Sequence, residues 1–442
     1  MQGLSARLGA KITSLMWRFL TAYGRIKYRY LLPLYRLFGL LPSQRKAESS
    51  VNPSRTLRGA RALVRALNPP VSPDLGAVTA RIEKSKGAVI FLPSIGWEIV
   101  NSQRAHHLAR EFARQGYLVI FDSSNSYDDV NGFKEIEPNL FLFRGAEDVL
   151  PQIADPILWT VTYNFDRKDP YKASARTVYD WIDDFDVFQF DRRFLEVNHQ
   201  RALKEATIVV SVARRLHDQA SASRPDALYL PNGVEYEHFA DESIQSPDDS
   251  DIDPAWQSGK PLAGYYGAIA EWFDYELLTA VARLRSDWNF LLIGPMYDNS
   301  LREQGRSLLK CPNVRWVGQR DYRDLPAYLR LFDVAMIPFA INNITLATSP
   351  LKLFEYFAGG KAVVTTPMPE CEAFAEVGIA RNVEEFSLAL DIARARGLDP
   401  QFRERLRRLG RENSWSSRVR SVIEHLGNKT SASGDPNRMP GG

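Results

Sequence analysis

Two kinds of hydrophobic pattern alternate along two long stretches of the chain, the first beginning near residue 88 and the second near residue 261. In each stretch, short apolar runs rich in β-branched and aromatic residues are separated by segments with a helical period. The apolar runs are AVIFLP, YLVIFD, NLFLFR, PILWTVTYN, ARTVYDWID and TIVVSV, then LAGYYG, WNFLLIG, VRWVG, DVAMIPF and KAVVTT. This alternation predicts two parallel sheets covered by helices on both faces, an α/β fold class with two Rossmann-like domains.

Changes in composition predict the domain boundaries. Residues 236–260 are rich in Asp, Ser and Pro, which is typical of a linker. The predicted order is a basic helical extension and connector (1–86), an N-terminal Rossmann-like domain (87–235), the linker (236–260), a C-terminal Rossmann-like domain (261–427) and a disordered tail (428–442). Helices are predicted at 101–115, 191–205, 212–221, 275–285, 300–309, 324–331, 351–358, 383–395, 401–410 and 415–426.

The N-terminal extension has an unusual charge. Residues 1–70 contain 13 Lys and Arg against one acid, whereas the whole chain has a net charge of only +3. Within residues 1–40, apolar side chains such as Leu15 and Phe19 recur at three- and four-residue spacing. This pattern predicts an amphipathic helix that lies on an anionic membrane surface. The alternative is a helix packed on its own domain or on a partner protein. Nucleic acid is not expected as a partner, because no recognition module accompanies the charge.

The remaining composition is typical of a soluble globular protein, with 45% hydrophobic and 25% charged residues. No run of 18 apolar residues predicts a membrane-spanning helix, and the start of the chain has no apolar core of a signal peptide. Two cysteines and six scattered histidines give neither a disulfide framework nor zinc-ligand spacing. We therefore expect a cytoplasmic protein.

The loops that follow the second group of strands contain a candidate anion site. Ligands of doubly wound sheets bind at the carboxyl ends of the strands, where Gly267 and Gly294 lie in this sequence. After a third strand, Ser349 is predicted to cap a helix whose free N–H groups attract an anion. Lys352 adds a cation suited to a diphosphate, and Glu355 on the same face is suited to hydrogen bonds from a ribose diol. The alternative is an ordinary solvated Lys–Glu pair.

Four segments in sequence order carry a family resemblance: LPNGVEYEHF, GYYGAIAEWFD, FLLIGP and SPLKLFEYFAGGKAVVTTPMPE. Over roughly residues 88–427 the chain resembles the GT-B glycosyltransferases that use sugar nucleotides, and more narrowly bacterial transferases of surface-polysaccharide and teichuronic-acid assembly. The resemblance implies two domains facing a cleft, with the Pro-Asn-Gly-Val segment closing the first. It also implies that Glu355 holds the donor ribose.

Two positions depart from the family pattern. The retaining families have a glutamate eight positions before Glu355, where this chain has Ala347. Their phosphate-binding Arg is replaced by Ala268, which leaves Lys352 as the expected main phosphate cation. For this reason the resemblance does not predict whether the reaction retains or inverts the anomeric configuration.

By the same resemblance, the first domain should bind the acceptor. Trp97 is a candidate for stacking on a sugar, Arg104 for binding an acceptor phosphate, and His106 or His107 for a catalytic base. The alternatives are a core histidine and a surface cation. Asp180 and Asp183, which end a predicted strand, are candidates for the carboxylate base that an inverting transfer needs, or else for turn formers.

The predicted function is hexosyl transfer from a nucleoside-diphosphate sugar to a lipid-linked or polysaccharide acceptor, by an enzyme held peripherally on the inner face of the plasma membrane. No metal or other cofactor is expected, since GT-B enzymes stabilise the leaving diphosphate with helix dipoles and cations, and no Asp-x-Asp element follows a strand in the C-terminal domain. The alternatives are a GT-B sugar-nucleotide epimerase and a catalytically silent GT-B scaffold.

Overall fold

A computed structural model of the chain shows two parallel sheets. It describes residues 74–99, 102–126, 128–188, 190–245, 247, 251–252, 256, 259–298 and 300–433, all within one compact unit that begins at Ser72. The predicted amphipathic helix of residues 1–40 lies outside these residues. No described helix is both long enough and apolar enough to span a bilayer.

The first sheet has eight strands in the order β3-β4-β2-β1-β5-β6-β7-β8. Its strands are β1 (Ala88–Phe91), β2 (Leu118–Asp122), β3 (Gly132–Glu137), β4 (Leu140–Arg144), β5 (Ile157–Thr160), β6 (Arg176–Trp181), β7 (Ile208–Ser211) and β8 (Leu228–Tyr229). Every residue of β1, β2, β5 and β7 is buried, which explains their continuous apolar sequences. All pairs are parallel except β3–β4, a hairpin that the sequence pattern did not predict.

Helices cover this sheet, and all but the first lie close to where the sequence predicts them. They are α1 (Leu75–Ile82), α2 (Arg104–Arg114), α3 (Arg192–Glu205) and α4 (Arg214–Ser223), with the 3₁₀ segments Leu150–Gln152, Thr162–Lys168 and Phe185–Val187. Helix α1 lies in the segment that was predicted as a polar connector. Its N-cap is Asp74, whose carboxylate accepts a hydrogen bond from the Ala77 N–H at 2.8 Å.

The second sheet has six parallel strands in the order β11-β10-β9-β12-β13-β14. Its strands are β9 (Leu262–Tyr266), β10 (Asn289–Ile293), β11 (Val314–Trp316), β12 (Val334–Ile337), β13 (Val363–Thr365) and β14 (Gly378–Ile379). The helices from residue 236 onward are α5 (Tyr236–Ala240), α6 (Tyr275–Leu284), α7 (Ser300–Glu303), α8 (Leu325–Leu331), α9 (Asn343–Leu346), α10 (Leu351–Ala358), α11 (Pro369–Glu372), α12 (Val383–Gly397), α13 (Pro400–Glu412) and α14 (Trp415–Ser433). Two 3₁₀ segments, Leu308–Lys310 and Tyr322–Asp324, accompany them.

The last helix returns to the first sheet. Trp415 and three further apolar residues of α14 join the buried core beside helix α2; the three are Val419, Val422 and Leu426. This differs from the predicted grouping of the segment with the C-terminal domain. The helix also continues to Ser433, into the segment predicted to be a disordered tail.

The chain crosses between the sheets at two adjacent points. Val234, just after β8, exchanges backbone hydrogen bonds with the segment before α14: its N–H donates to Asn413 O and its carbonyl accepts from Trp415 N, both at 3.1 Å. At Gly233 a Cβ atom would lie 3.0 Å from both of those backbone atoms, so the two crossings approach as closely as glycine allows.

Candidate functional site

The loops after β9 and β10 meet at two glycines. The backbone φ angles are +135° at Gly267 and +145° at Gly294, a region that favours glycine. The Gly267 N–H donates to Ile293 O at 2.9 Å, and a Cβ atom at Gly294 would lie 1.9 Å from Gly267 O. Both predicted donor glycines therefore lie side by side at the carboxyl edge of the second sheet.

Helix α10 begins beside these glycines, at Leu351 with Pro350 as its N-cap. Ser349 does not cap it, which corrects the expectation from the sequence. Its hydroxyl instead accepts a hydrogen bond from the Asn232 N–H at 3.1 Å, and its carbonyl accepts one from Asn232 Nδ2 at 2.7 Å. Ser349 is buried, and its polar groups serve the crossing segment rather than the helix.

Lys352 projects toward the glycine loop. A Cβ atom at Gly267 would lie 2.7 Å from Lys352 Cε, and the ammonium nitrogen lies 5.3 Å and 5.0 Å from the ring centroids of Tyr265 and Phe339. These distances are within the range of cation–π contacts. Burial lowers the pKa of Lys352, and the charge of Glu355 opposes that shift.

Glu355 lies one turn further along α10 and is only 7% exposed. Burial raises the pKa of its carboxyl group, which the positive charge of Lys352 partly offsets. Burial raises the pKa of the phenols of Tyr266 and Tyr322, and the negative charge of the nearby Glu355 raises both further. The pair is therefore not the solvated surface pair of the alternative interpretation.

Ala347 has a structural explanation. It is fully buried in an apolar cluster of the first domain that also contains Phe165, Tyr179 and Trp181. A glutamate here would be placed in that cluster, where an unpaired carboxylate is costly. The departure from the family pattern thus corresponds to a packed contact.

Arg104 and Asp180 form a buried ion pair at the carboxyl edge of the first sheet. Arg104 Nε donates to Asp180 Oδ2 at 2.8 Å, and Trp159 Nε1 donates to the same oxygen at 3.1 Å. The two residues are 7% and 1% exposed. This pairing does not fit the predicted roles of Arg104 as an acceptor-binding cation and Asp180 as a base, because each charge already neutralises the other.

His106 does not fit the predicted role of a base either. Its Nδ1 accepts a hydrogen bond from the Gln103 N–H at 2.9 Å, and its Nε2 donates to Gly96 O at 3.0 Å. Burial lowers its pKa to about 4. The alternative candidate, His107, is also buried and lies 3.0 Å from a carboxylate oxygen of Glu235. Both histidines are better explained as packed core residues.

Trp97 is held in place by its surroundings. Its ring packs edge-on against His106 at 4.9 Å, and the guanidinium of Arg110 lies over it at 4.8 Å. The Trp97 N–H also donates to Asp128 Oδ2 at 2.7 Å. Asp128, which the sequence did not single out, therefore fixes the loop that carries the tryptophan.

Asp183 is the predicted base whose environment suits that role. Burial, together with the nearby charges of Asp180 and Asp184, raises the pKa of its carboxyl group to about 7. A base that titrates near neutral pH is well matched to accepting a proton from a hydroxyl group. Within the described part of the chain, no group of three His, Cys, Asp or Glu residues is arranged to hold a metal ion.

Asn232 links the two groups of candidates. It contacts Ser349 on one side, and on the other its Oδ1 accepts from Arg104 Nη1 at 3.2 Å. The sequence flagged it only as part of the Pro-Asn-Gly-Val segment, since neither partner is close to it in sequence.

Comparisons with known proteins agree with this architecture. Residues 260–392 match the family model described as glycosyl transferases group 1. Over 248 residues the chain is 29% identical to a Bacillus subtilis (strain 168) protein named as a teichuronic acid biosynthesis glycosyltransferase, TuaH. That match covers 54% of this chain and 61% of the relative's length.

Solved structures share the fold. The Anabaena protein Alr3699/HepE, in complex with UDP, gives a TM-score of 0.56 at 12% identity, covering 77% of this chain and 99% of that one. Sucrose-phosphate synthase from Thermosynechococcus elongatus gives a TM-score of 0.56 at 14% identity, covering 78% and 99%. The resemblance drawn from the sequence is therefore confirmed: the chain has the GT-B glycosyltransferase fold, and its residues 260–392 match the group 1 glycosyl transferase model.

Proposed function

We propose that this protein transfers a hexosyl unit from a nucleoside-diphosphate sugar to a lipid-linked or polysaccharide acceptor at the cytoplasmic face of the membrane. The observation that carries the proposal is the meeting of Gly267, Gly294 and Lys352 at the start of α10. Support for the donor class comes from Alr3699/HepE, which shares the fold and whose structures include complexes with UDP and UDP-glucose.

The donor would lie across the carboxyl edge of the second sheet. The close contact of the two glycines brings the loop after β9, Lys352 and the start of α10 together at this edge, where the lysine and the first N–H groups of α10 would offset the negative charge of the diphosphate. Glu355 would accept hydrogen bonds from the ribose hydroxyls. As the glycosidic bond to the diphosphate breaks, charge grows on the leaving oxygen, and these same groups stabilise it.

The acceptor would enter from the first sheet. In an inverting transfer, the acceptor oxygen bonds to the anomeric carbon, the bond to the diphosphate breaks and Asp183 takes the hydroxyl proton. Its pKa of about 7 makes it an effective base near neutral pH. Trp97 and Asp128 would shape the acceptor side of the cleft. The ion pair of Arg104 with Asp180 and the hydrogen bonds of His106 would hold helix α2 in place.

A lipid-linked or polysaccharide acceptor is supported by the name of TuaH, which places that relative in teichuronic acid biosynthesis. The basic N-terminal extension supports an anionic membrane surface as a partner.

Donor hydrolysis and transfer by the purified protein test the proposal. UDP-, GDP- and ADP-sugars are supplied with and without acceptor lipids extracted from bacterial cell envelopes. Release of the nucleoside diphosphate is then measured. Release that rises with acceptor and is lost in Asp183→Asn is expected. Binding of a nucleotide without turnover of any donor would favour the scaffold interpretation. Conversion of the donor sugar without release of the diphosphate would favour the epimerase.

A further inference from the structure

We infer that Asn232 is a positioning residue that fixes the start of helix α10, and with it Lys352 and Glu355, against the first sheet. The inference rests on the proposed nucleotide site. It assigns a task to the Pro-Asn-Gly-Val segment beyond closing the first domain.

All four polar groups of Asn232 are hydrogen-bonded. Toward the second sheet, its N–H donates to Ser349 Oγ at 3.1 Å and its Nδ2 donates to Ser349 O at 2.7 Å. Toward the first sheet, its Oδ1 accepts from Arg104 Nη1 at 3.2 Å. Its carbonyl accepts from Arg418 of helix α14, from Nε at 3.2 Å and from Nη2 at 3.1 Å. One residue thus connects α2, α14 and the segment that leads into α10.

The amide side chain suits this position. Asparagine offers a donor to the Ser349 carbonyl and an acceptor to the Arg104 guanidinium at the same time, which neither a carboxylate nor an apolar side chain does. Arg104 is itself fixed by its bond to Asp180 at 2.8 Å. The backbone is held closely as well, because a Cβ atom at Gly233 would lie 3.0 Å from Asn413 O and from Trp415 N, tighter than an ordinary van der Waals contact.

The anchor is close to the proposed chemistry. Ser349 comes two residues before the first residue of α10, and Lys352 is the second residue of that helix. A shift of the helix start would move the free N–H groups and the lysine together, away from the edge where Gly267 and Gly294 meet. Displacements of about 1 Å are enough to weaken binding and turnover substantially.

Two variants remove different hydrogen bonds of the Asn232 side chain. Asn232→Asp keeps an acceptor for Arg104 and both backbone groups but replaces the donor to Ser349 O with a repelling carboxylate oxygen. Asn232→Ala removes both side-chain bonds. We expect both variants to bind the nucleoside diphosphate about tenfold more weakly, measured by calorimetry with whichever of UDP, GDP and ADP binds the wild type most tightly. The fall in kcat/KM for donor turnover should be larger than the loss of folded protein, calculated from the free energy of unfolding, accounts for.

Amide hydrogen exchange of the peptide covering residues 349–358 tests the anchor without any ligand. Faster exchange is expected in both variants, with little change in peptides of the second sheet. Asn313→Ala is the matched control, since Asn313 is a buried asparagine whose Nδ2 donates to three backbone carbonyls in helix α6 and the turn that follows it. It should lower stability without selective exchange at 349–358.

Wild-type exchange and affinity in Asn232→Asp would overturn the inference. If no nucleotide binds the wild type, the proposed function fails, whereas the exchange data still test the anchor. Should the Asn232 variants not fold, Ser349→Ala removes only the hydroxyl acceptor, and unchanged exchange at 349–358 in that variant would count equally against the inference.

Discussion

Replacing Gly294 with alanine tests the contact on which the proposed nucleotide site depends. The added Cβ would lie 1.9 Å from the carbonyl oxygen of Gly267 and 2.7 Å from its carbonyl carbon. Both atoms belong to the backbone, so the clash is not relieved by rotating a side chain. The loop after β9 would have to move, and Lys352 lies directly behind it.

The cost has two parts. A non-glycine residue at a φ of +145° costs about 1–3 kcal/mol, and overpacking of a close contact adds about 1–3 kcal/mol. Together they remove about 2–6 kcal/mol, a large share of the roughly 5–15 kcal/mol that stabilises a folded domain. We expect the midpoint of thermal unfolding to fall by several degrees and nucleotide affinity to fall with it.

Gly87→Ala is the matched control. The φ angle of Gly87 is +123°, close to that of Gly294, and beyond its chain neighbours no atom lies within 4 Å of the position of its added Cβ. The comparison therefore separates backbone strain from the clash. Differential scanning calorimetry of both variants, with and without nucleoside diphosphate, gives the two effects. If Gly294→Ala is no more destabilising than Gly87→Ala, the close approach of the two loops is not the constraint described above.

Three further outcomes are expected. Folding raises the pKa of Asp183, so the stability linked to its protonation is present below about pH 4 and is lost as the pH rises to 7. Asp183→Asn should therefore stabilise the protein at pH 8 but not at pH 4. Equal shifts of the melting temperature at both pH values would contradict this. Arg104→Ala leaves Asp180 buried without its partner and should cost about 3–5 kcal/mol in denaturant unfolding, so a loss below about 1 kcal/mol would refute the buried pair. Deleting residues 1–40 should release the protein from anionic vesicles while nucleotide binding persists, and a full-length protein that ignores such vesicles at low salt would rule out the membrane role.

Local sequence patterns predicted much of the second sheet. The strand β10 and the helix α10 are confirmed close to their predicted bounds, because apolar periodicity and burial coincide there. The sequence also placed Gly267 and Gly294 at the carboxyl ends of their strands, as the structure has them, whereas their role in donor binding stays a prediction.

The errors come from long-range contacts. Ser349 looked like a helix cap because capping is a local property, yet its hydrogen bonds go to Asn232, 117 residues away. Arg104 looked like a free cation because its partner Asp180 is 76 residues away. Spacing along a chain carries no information on such pairs. His106 is a different case, because its hydrogen-bond partners Gln103 and Gly96 are only three and ten residues away, and the fold of the loop between them, not distance along the chain, decides that both ring nitrogens are bonded.

The most direct test of the central claim is calorimetric titration of a nucleoside diphosphate and of the matching nucleoside into wild-type protein, Lys352→Ala and Glu355→Gln. We expect Glu355→Gln to weaken the binding of both ligands by about 1.5–3 kcal/mol, the scale of a hydrogen bond to a charged group. We expect Lys352→Ala to weaken binding of the diphosphate far more than binding of the nucleoside, because only the diphosphate carries the charge that the lysine offsets. Unchanged affinity in Glu355→Gln, or equal losses for both ligands in Lys352→Ala, would contradict a nucleotide site at the start of helix α10.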